Sequence, residues 1–241
     1  MKHLFLTSAI LLSFSGLANA NNGIYASLKA GISDTKYKNS EDKRVFDGGV
    51  LSLEAKNNDQ TKSIYPNISA AVGFDFSKIS KINARAELEY TYKDKETFSP
   101  TIDNVTARVG SNVFSGKAPD GFVLFNNALR SQSLMVNGYY DFKNTSKFTP
   151  YVGLGIGATR VKNKQTEISV NDSVSSTDTH FTWSAGVGIA YNVTDNVALD
   201  LSYKYVDAGK FKFNNYVPDG NFDTKVKLHS NDYSLGIRYN F

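Results

Sequence analysis

The last eleven residues, 231–241, alternate without interruption: Tyr233, Leu235, Ile237, Tyr239 and Phe241 are apolar or aromatic, and Asp232, Ser234, Gly236, Arg238 and Asn240 between them are small or polar. A period of two places the two sets on opposite faces of one strand. Chain ends ordinarily fray unless they are tied down. A β-forming, amphipathic end that runs to a terminal aromatic therefore predicts a strand held on both edges, the closing strand of a barrel whose apolar face meets lipid.

The same alternation recurs seven more times, over 23–34, 67–76, 82–92, 132–142, 150–160, 181–191 and 197–205. In 82–92, for example, Ile82, Ala84, Ala86, Leu88, Tyr90 and Tyr92 form one row, and Asn83, Arg85, Glu87, Glu89 and Thr91 the other. Strands of about 9–11 residues suffice to cross a bilayer at a tilt. The connections alternate in length: short at 77–81, 143–149 and 192–196, long and polar at 35–66, 93–131, 161–180 and 206–230. This pattern predicts an all-β chain, an eight-stranded antiparallel transmembrane β-barrel with four long extracellular loops and three short periplasmic turns.

Periodicity alone does not say which face is inside, and a secreted lipocalin-like barrel or β-sandwich has the same period. Two features favour lipid outside. Aromatics cluster at both ends of the apolar rows: Tyr90, Tyr92, Trp183, Tyr203, Tyr205 and Tyr233 lie near the long connections, and Phe74, Phe76, Tyr140, Phe142, Tyr191, Tyr239 and Phe241 near the short ones. Interfacial girdles have this distribution. The opposite face carries charge in mid-strand, at Lys29, Arg85, Glu87, Asp200 and Arg238, where an apolar core has none. A hydropathy scan misses such a protein (mean hydropathy −0.33), because each strand turns only half its residues to lipid.

Eight strands leave an interior that side chains can fill. The inward rows supply Lys29, Arg85, Lys204 and Arg238 together with Asp75, Glu87, Glu89, Asp141 and Asp200. Unpaired buried charge is costly, so these groups are expected to pair, with Arg85 and Arg238 best suited to bidentate carboxylate contacts. Such a network either plugs the barrel or lines a gated ion path, and the plug is the preferred reading. Inward glycines at 153, 155, 157, 186 and 188 either make room for water or accommodate bulky neighbours such as Tyr139 and Tyr151.

The first twenty residues stand apart. Lys2 and His3 precede an apolar run that ends in Ala18-Asn19-Ala20, the three-part pattern of a cleaved signal peptide. Residues 1–20 are accordingly expected to direct export, and 21–241 to form the barrel. No cysteine is present, which excludes disulfides, thiolate metal sites and thiol catalysis. The formal net charge of +4 is mild and falls by one when Lys2 leaves; without a clustered basic motif it predicts no nucleic-acid partner. The loop carboxylates show no metal-ligand spacing, so no cofactor is expected. His180 and His229, the histidines beyond the export segment, lie at outer strand ends. Adjacent His229 and Ser230 point to opposite faces of a strand, so an enzymatic role is not expected.

Residues 133–143 (Ser-Leu-Met-Val-Asn-Gly-Tyr-Tyr-Asp-Phe-Lys), 148–157 (Phe-Thr-Pro-Tyr-Val-Gly-Leu-Gly-Ile-Gly), 181–191 and the terminal strand resemble the opacity-family porins and related small outer-membrane barrels, a superfamily that includes surface antigens and adhesins. The resemblance implies an eight-stranded barrel whose exposed loops bind a host receptor or matrix. It also implies that the aromatic end Tyr233, Leu235, Ile237, Tyr239, Phe241 is read by the outer-membrane assembly machinery. It transfers no ligand residues. The expected function is a surface adhesin or antigen in the outer membrane, with a narrow or gated porin as the alternative and a structural envelope protein as a third. Phe114, Phe122, Leu124 and Phe125 form the most apolar loop cluster and are candidate contacts. Lys36, Lys38, Lys43 and Arg44 suit acidic glycans or lipopolysaccharide phosphates by charge.

Overall fold

A computed structural model describes residues 23–46, 51–57, 61–99, 104–120, 125–167, 173–217 and 220–241. The expected export segment, 1–20, lies outside them. Strands are β1 (Ile24–Phe46), β2 (Leu51–Asn57), β3 (Thr61–Asp75), β4 (Ala84–Phe98), β5 (Asn104–Val109), β6 (Asn112–Lys117), β7 (Phe125–Asp141), β8 (Phe148–Glu167), β9 (Ser173–Asn192), β10 (Val197–Val217) and β11 (Gly220–Asn240).

All pairings are antiparallel. Eight strands are staves, in the order β1-β3-β4-β7-β8-β9-β10-β11, and β11 pairs back onto β1 to close the barrel. The seam runs from Tyr25 opposite Asn240 through Ile32 opposite Tyr233. Closure gives every stave two neighbours and removes the edge that an apolar membrane interior cannot tolerate. Even the last residue is held, since the Phe241 N–H donates to the Ile24 carbonyl at 3.0 Å.

The period-two rows divide as lipid requires. Outward apolar residues stay uncovered, as at Leu154 (71 % exposed) and Leu235 (62 %), while polar Glu89, Asn137 and Thr182 are buried inside. A barrel in water would invert this arrangement. Aromatic pairs mark both edges of the apolar band. Phe74–Phe76, Tyr140–Phe142, Phe148–Tyr191 and Tyr239–Phe241 lie at the short-turn end, and Trp183–Tyr205 and Tyr203–Tyr233 at the other, with ring centroids 4.9–5.6 Å apart.

The short connections are built from side-chain capping. Asp75 accepts the Ser77 N–H at 2.9 Å and starts a 3-10 turn, Phe76–Lys78. Asn144 accepts the Ser146 N–H at 2.7 Å between β7 and β8. Thr194 Oγ1 accepts the Val197 N–H at 3.0 Å between β9 and β10.

The long connections differ from a loop picture. β1 has 23 residues, β8 and β9 have 20 each, and β10 and β11 have 21 each, roughly twice what a crossing needs. Much of 35–66, 93–131, 161–180 and 206–230 therefore continues the staves above the apolar band. Alternating Ser, Thr, Asn and Lys rows have no lipid to meet there, yet they satisfy their backbone by pairing. At this level β1 exchanges β3 for β2, and β2, β5 and β6 form a ribbon leading away from the closed wall.

The extension has its own core. At Asp207/Gly209 the β10–β11 register shifts; Gly209 has φ +81°, and its N–H donates to Asp207 Oδ1 at 2.9 Å. This bulge reverses the parity of β10. Below it Tyr203 faces out, and above it Phe211 and Phe213 face in, where they are fully buried with Leu129, Val161, Ala208, Val226 and Leu228.

Candidate functional site: a filled lumen beneath an exposed outer ribbon

Inward positions of β1, β4, β7, β8, β10 and β11 stack the charged groups in tiers. Lowest, Arg85 holds Asp141 through Nε to Oδ2 at 2.8 Å and Nη2 to Oδ1 at 2.9 Å. The Arg85 guanidinium is also enclosed by rings, 4.7 Å from the Tyr139 centroid and 5.0 Å from that of Tyr151. Planar stacking together with a bidentate fork is what an arginine, and not a lysine, can make.

One tier up, Glu87 accepts from Lys29 Nζ at 3.1 Å, the Tyr25 hydroxyl at 3.1 Å and the Tyr139 hydroxyl at 2.7 Å. Lys29 reaches on to Glu89 at 3.0 Å, and Lys204 closes on the other Glu89 oxygen. Asp200 accepts from the Tyr151 hydroxyl. Glu87 and Glu89 therefore have several donors each, and such satisfaction makes buried charge tolerable.

Three positions depart from expectation. Among the described residues Arg238 makes no bidentate pair; its Nη1 stays 3.9 Å from Asp200 Oδ2, and its Nε and Nη1 have no hydrogen-bond partner there. The register sets Asp200 opposite Gly236 and Arg238 opposite Ala198, the Tyr151 hydroxyl occupies Asp200, and the guanidinium lies over the Tyr25 ring at 5.6 Å. Asp75 sits at the turn rim, with Lys143 Nζ at 3.5 Å, outside the central tiers. Lys93, read from sequence as the first residue of a loop, is buried and donates to Asp232 Oδ1 and Ser230 Oγ, both at 2.8 Å. It shares the parity of Glu89 and Thr91, the signal that could have located it. Above the girdle, Tyr65 donates to none of these; it accepts the Thr35 hydroxyl at 2.8 Å, and burial pushes its phenol up against the pull of Lys93.

Two of the inward glycines seat tyrosines. A Cβ on Gly153 would come within 2.5 Å of the Tyr139 ring, and one on Gly188 would enter the Tyr151 ring. One cavity of about 30 Å³ lies beside Lys29, Glu89, Tyr139 and Lys204, room for about one or two waters. The apolar cluster around Phe211 and Phe213 lies above it.

The outer end is the other candidate surface. Phe114, on β6, is 62 % exposed, and Val109 and Val113 beside it are also exposed. Phe125 opens β7, while Phe122 and Leu124 lie outside the described residues. Lys36 follows Asp34 on the outward row of β1. His180 engages Asp178 at 3.3 Å and packs edge-on against Phe211. Among the described residues no cluster of three or more metal-ligating side chains occurs. The terminal row Tyr233, Leu235, Ile237 and Tyr239 faces outward on β11, opposite Ile32, Ala30, Leu28 and Ala26 of β1.

Comparison with known proteins agrees with this geometry. Residues 4–241 match the family model described as outer membrane protein beta-barrel domain. Outer membrane protein PagN of Salmonella typhimurium is 34 % identical over 251 residues, covering 100 % of both chains. A Rickettsia bellii protein that carries the name adhesin is 24 % identical over 208 residues, 81 % of this chain and 86 % of its own. The crystal structure of OprG from Pseudomonas aeruginosa superimposes with a TM-score of 0.50 at 13 % identity, covering 92 % of this chain and 98 % of that one; at that identity the likeness concerns the fold.

Proposed function

This chain belongs to the outer membrane protein beta-barrel domain family, and on that premise we propose that it is a surface adhesin working through its outer end, with a lumen that is a structural plug. The observation that carries the reading is the contrast between the two ends of the same staves. Inside the lipid band the lumen is filled by ion pairs and tyrosines. Above it the staves continue as ordered sheet and bear a ribbon whose last strand, Asn112–Lys117, is exposed throughout.

Exposed Phe114 and Val113 on this ribbon resemble the aromatic and aliphatic anchors that dominate protein interfaces. The name carried by the Rickettsia bellii relative supports the same class. The partner is a host receptor or matrix component. Lipopolysaccharide surrounds the barrel, and the assembly machinery reads its aromatic end. This reading assigns the chain no catalytic step; His180 engages Asp178 and packs against Phe211.

The test is adherence of a non-adherent bacterium expressing only this protein. Wild type is expected to confer binding to host cells, and Phe114→Ser with Val113→Ser to lose most of it while heat-modifiable gel mobility stays unchanged. Undiminished adherence removes the ribbon from the reading, and absence of adherence in the wild type removes adhesion itself.

A further inference from the structure

The outer wall of the barrel changes chemistry within one register step. Going up β8, the outward row reads Val152, Leu154, Ile156, Ala158 and then Arg160, Lys162, Lys164; up β7 it reads Tyr140, Gly138, Val136, Leu134 and then Gln132, Arg130. All four cations are exposed. About ten residues separate Tyr140 of the lower girdle from Arg130. At roughly 3.3 Å per residue and a tilt near 40°, that is a climb of about 25 Å, the height of the apolar band of such barrels. The cations therefore stand where acyl chains end and headgroups begin.

Their mutual placement has an electrostatic cost. Lys162 lies directly opposite Arg130. Lysines also face one another between β10 and β11, where Lys210 is opposite Lys227 and Lys212 opposite Lys225, but there Asp207 lies 3.5 Å from Lys227. Like charges directly opposed on one face destabilise a sheet. Among the described residues little offsets this on β7 and β8: the Arg130 Nε is 4.0 Å from Asp94, with both side chains more than half exposed. The neighbours of Arg160, Lys162 and Lys164 on β9 are Thr179, Thr177 and Ser175, hydroxyl donors with no charge.

We propose that the β7–β8 wall, through Arg130, Arg160, Lys162 and Lys164, binds the phosphates of a phosphorylated glycolipid of the outer leaflet, lipopolysaccharide in this membrane. This rests on the reading of the chain as an outer-membrane barrel and is independent of adhesion. An amphiphile fits the wall along its length. Acyl chains cover Leu134, Ile156 and Phe181, and phosphates meet the cations directly above, with Thr177 and Thr179 donating to their oxygens. A soluble sulfated glycan offers the charge without the chains, and the wall stands along the bilayer normal, where a lipid already lies.

Trp183, the one tryptophan of the chain, lies opposite Ile156 on this wall and is a native reporter. The experiment embeds the full chain in phosphatidylcholine nanodiscs and follows energy transfer from Trp183 to dansyl-labelled diphosphoryl lipid A. The variant R160Q/K162Q/K164Q is compared with wild type, and K78Q/K81Q/K147Q removes the same charge at the turn end. Gel mobility verifies that each variant is folded.

Wild type is expected to enrich diphosphoryl lipid A over its dephosphorylated form. The wall variant is expected to weaken this on the order of a hundredfold, for three interfacial cations, and the turn variant to leave it unchanged. Equal binding by the wall variant, or no preference for the phosphorylated lipid, overturns the proposal. So does a result in which the wall variant loses a soluble heparin fragment but keeps lipid A, which assigns the wall to a glycan. Lipid A binding without adherence overturns the adhesin reading alone.

Discussion

Arg85 and Asp141 form a two-bonded pair, at 2.8 and 2.9 Å, between residues that are 5 % and 3 % exposed. Removing one member leaves a buried charge without its partner, at a cost of about 3–5 kcal/mol; replacing both by apolar groups of similar volume is far milder. Arg85→Met and Asp141→Leu are each expected to lower the urea midpoint of the barrel in detergent strongly, and the double variant to recover much of it. Additive losses in the double variant refute the pairing energetics.

The tier above is expected to control whether the lumen conducts. Glu89 is contacted by Lys29 and Lys204 at once, and Glu87 by Lys29 and two tyrosine hydroxyls. In planar bilayers wild type is expected to show no steady openings. Glu87→Gln with Glu89→Gln leaves two ammonium groups without counter-charge, which draws water into a low-dielectric lumen, and small anion-favouring steps are expected. Stable openings in wild type overturn the plug.

The membrane-crossing part was legible in the sequence because lipid imposes the pattern. Rows such as Leu88–Tyr90 alternate with the buried polar Glu87 and Glu89, and a one-residue slip would reverse them. Inward charge was legible for the same reason, since Arg85, Glu87 and Glu89 share one parity. The pairings within the lumen were not, because they depend on stagger between strands, as Arg238 shows by missing Asp200. Above the girdle the constraint disappears. Ser173–Thr179 reads as loop, since no apolar alternation is required there, yet it is strand. Phe211 and Phe213 read as part of a polar connection because the bulge at Gly209 inverts their parity, which no periodicity scan anticipates.

That bulge makes a separable prediction. Gly209 adopts φ +81°, and a β-branched residue there is strained by about 1–2 kcal/mol; Phe211→Ala removes a fully buried ring at about 3–5 kcal/mol. Both changes act on the extension, above the lipid. Gly209→Val and Phe211→Ala are expected to expose the outer parts of β10 and β11 to limited proteolysis, leaving a protected membrane core. Cleavage patterns identical to wild type reject an independent outer core.

The terminal aromatic separates assembly from stability. Phe241 is anchored by its N–H to Ile24 at 3.0 Å and by an edge contact with Tyr239 at 5.1 Å. That hydrogen bond and that ring pair contribute about 1–2 kcal/mol, small beside a closed barrel ladder. Deleting Phe241 is therefore expected to change the urea midpoint of the refolded barrel only slightly. If the row Tyr233, Leu235, Ile237, Tyr239, Phe241 is an assembly signal, the same deletion lowers the folded fraction in the outer membrane several-fold. Cells carrying the truncated chain report this directly, through the ratio of heat-modifiable to unfolded protein. A folded fraction equal to wild type removes the signal role from Phe241, whatever the midpoint shows.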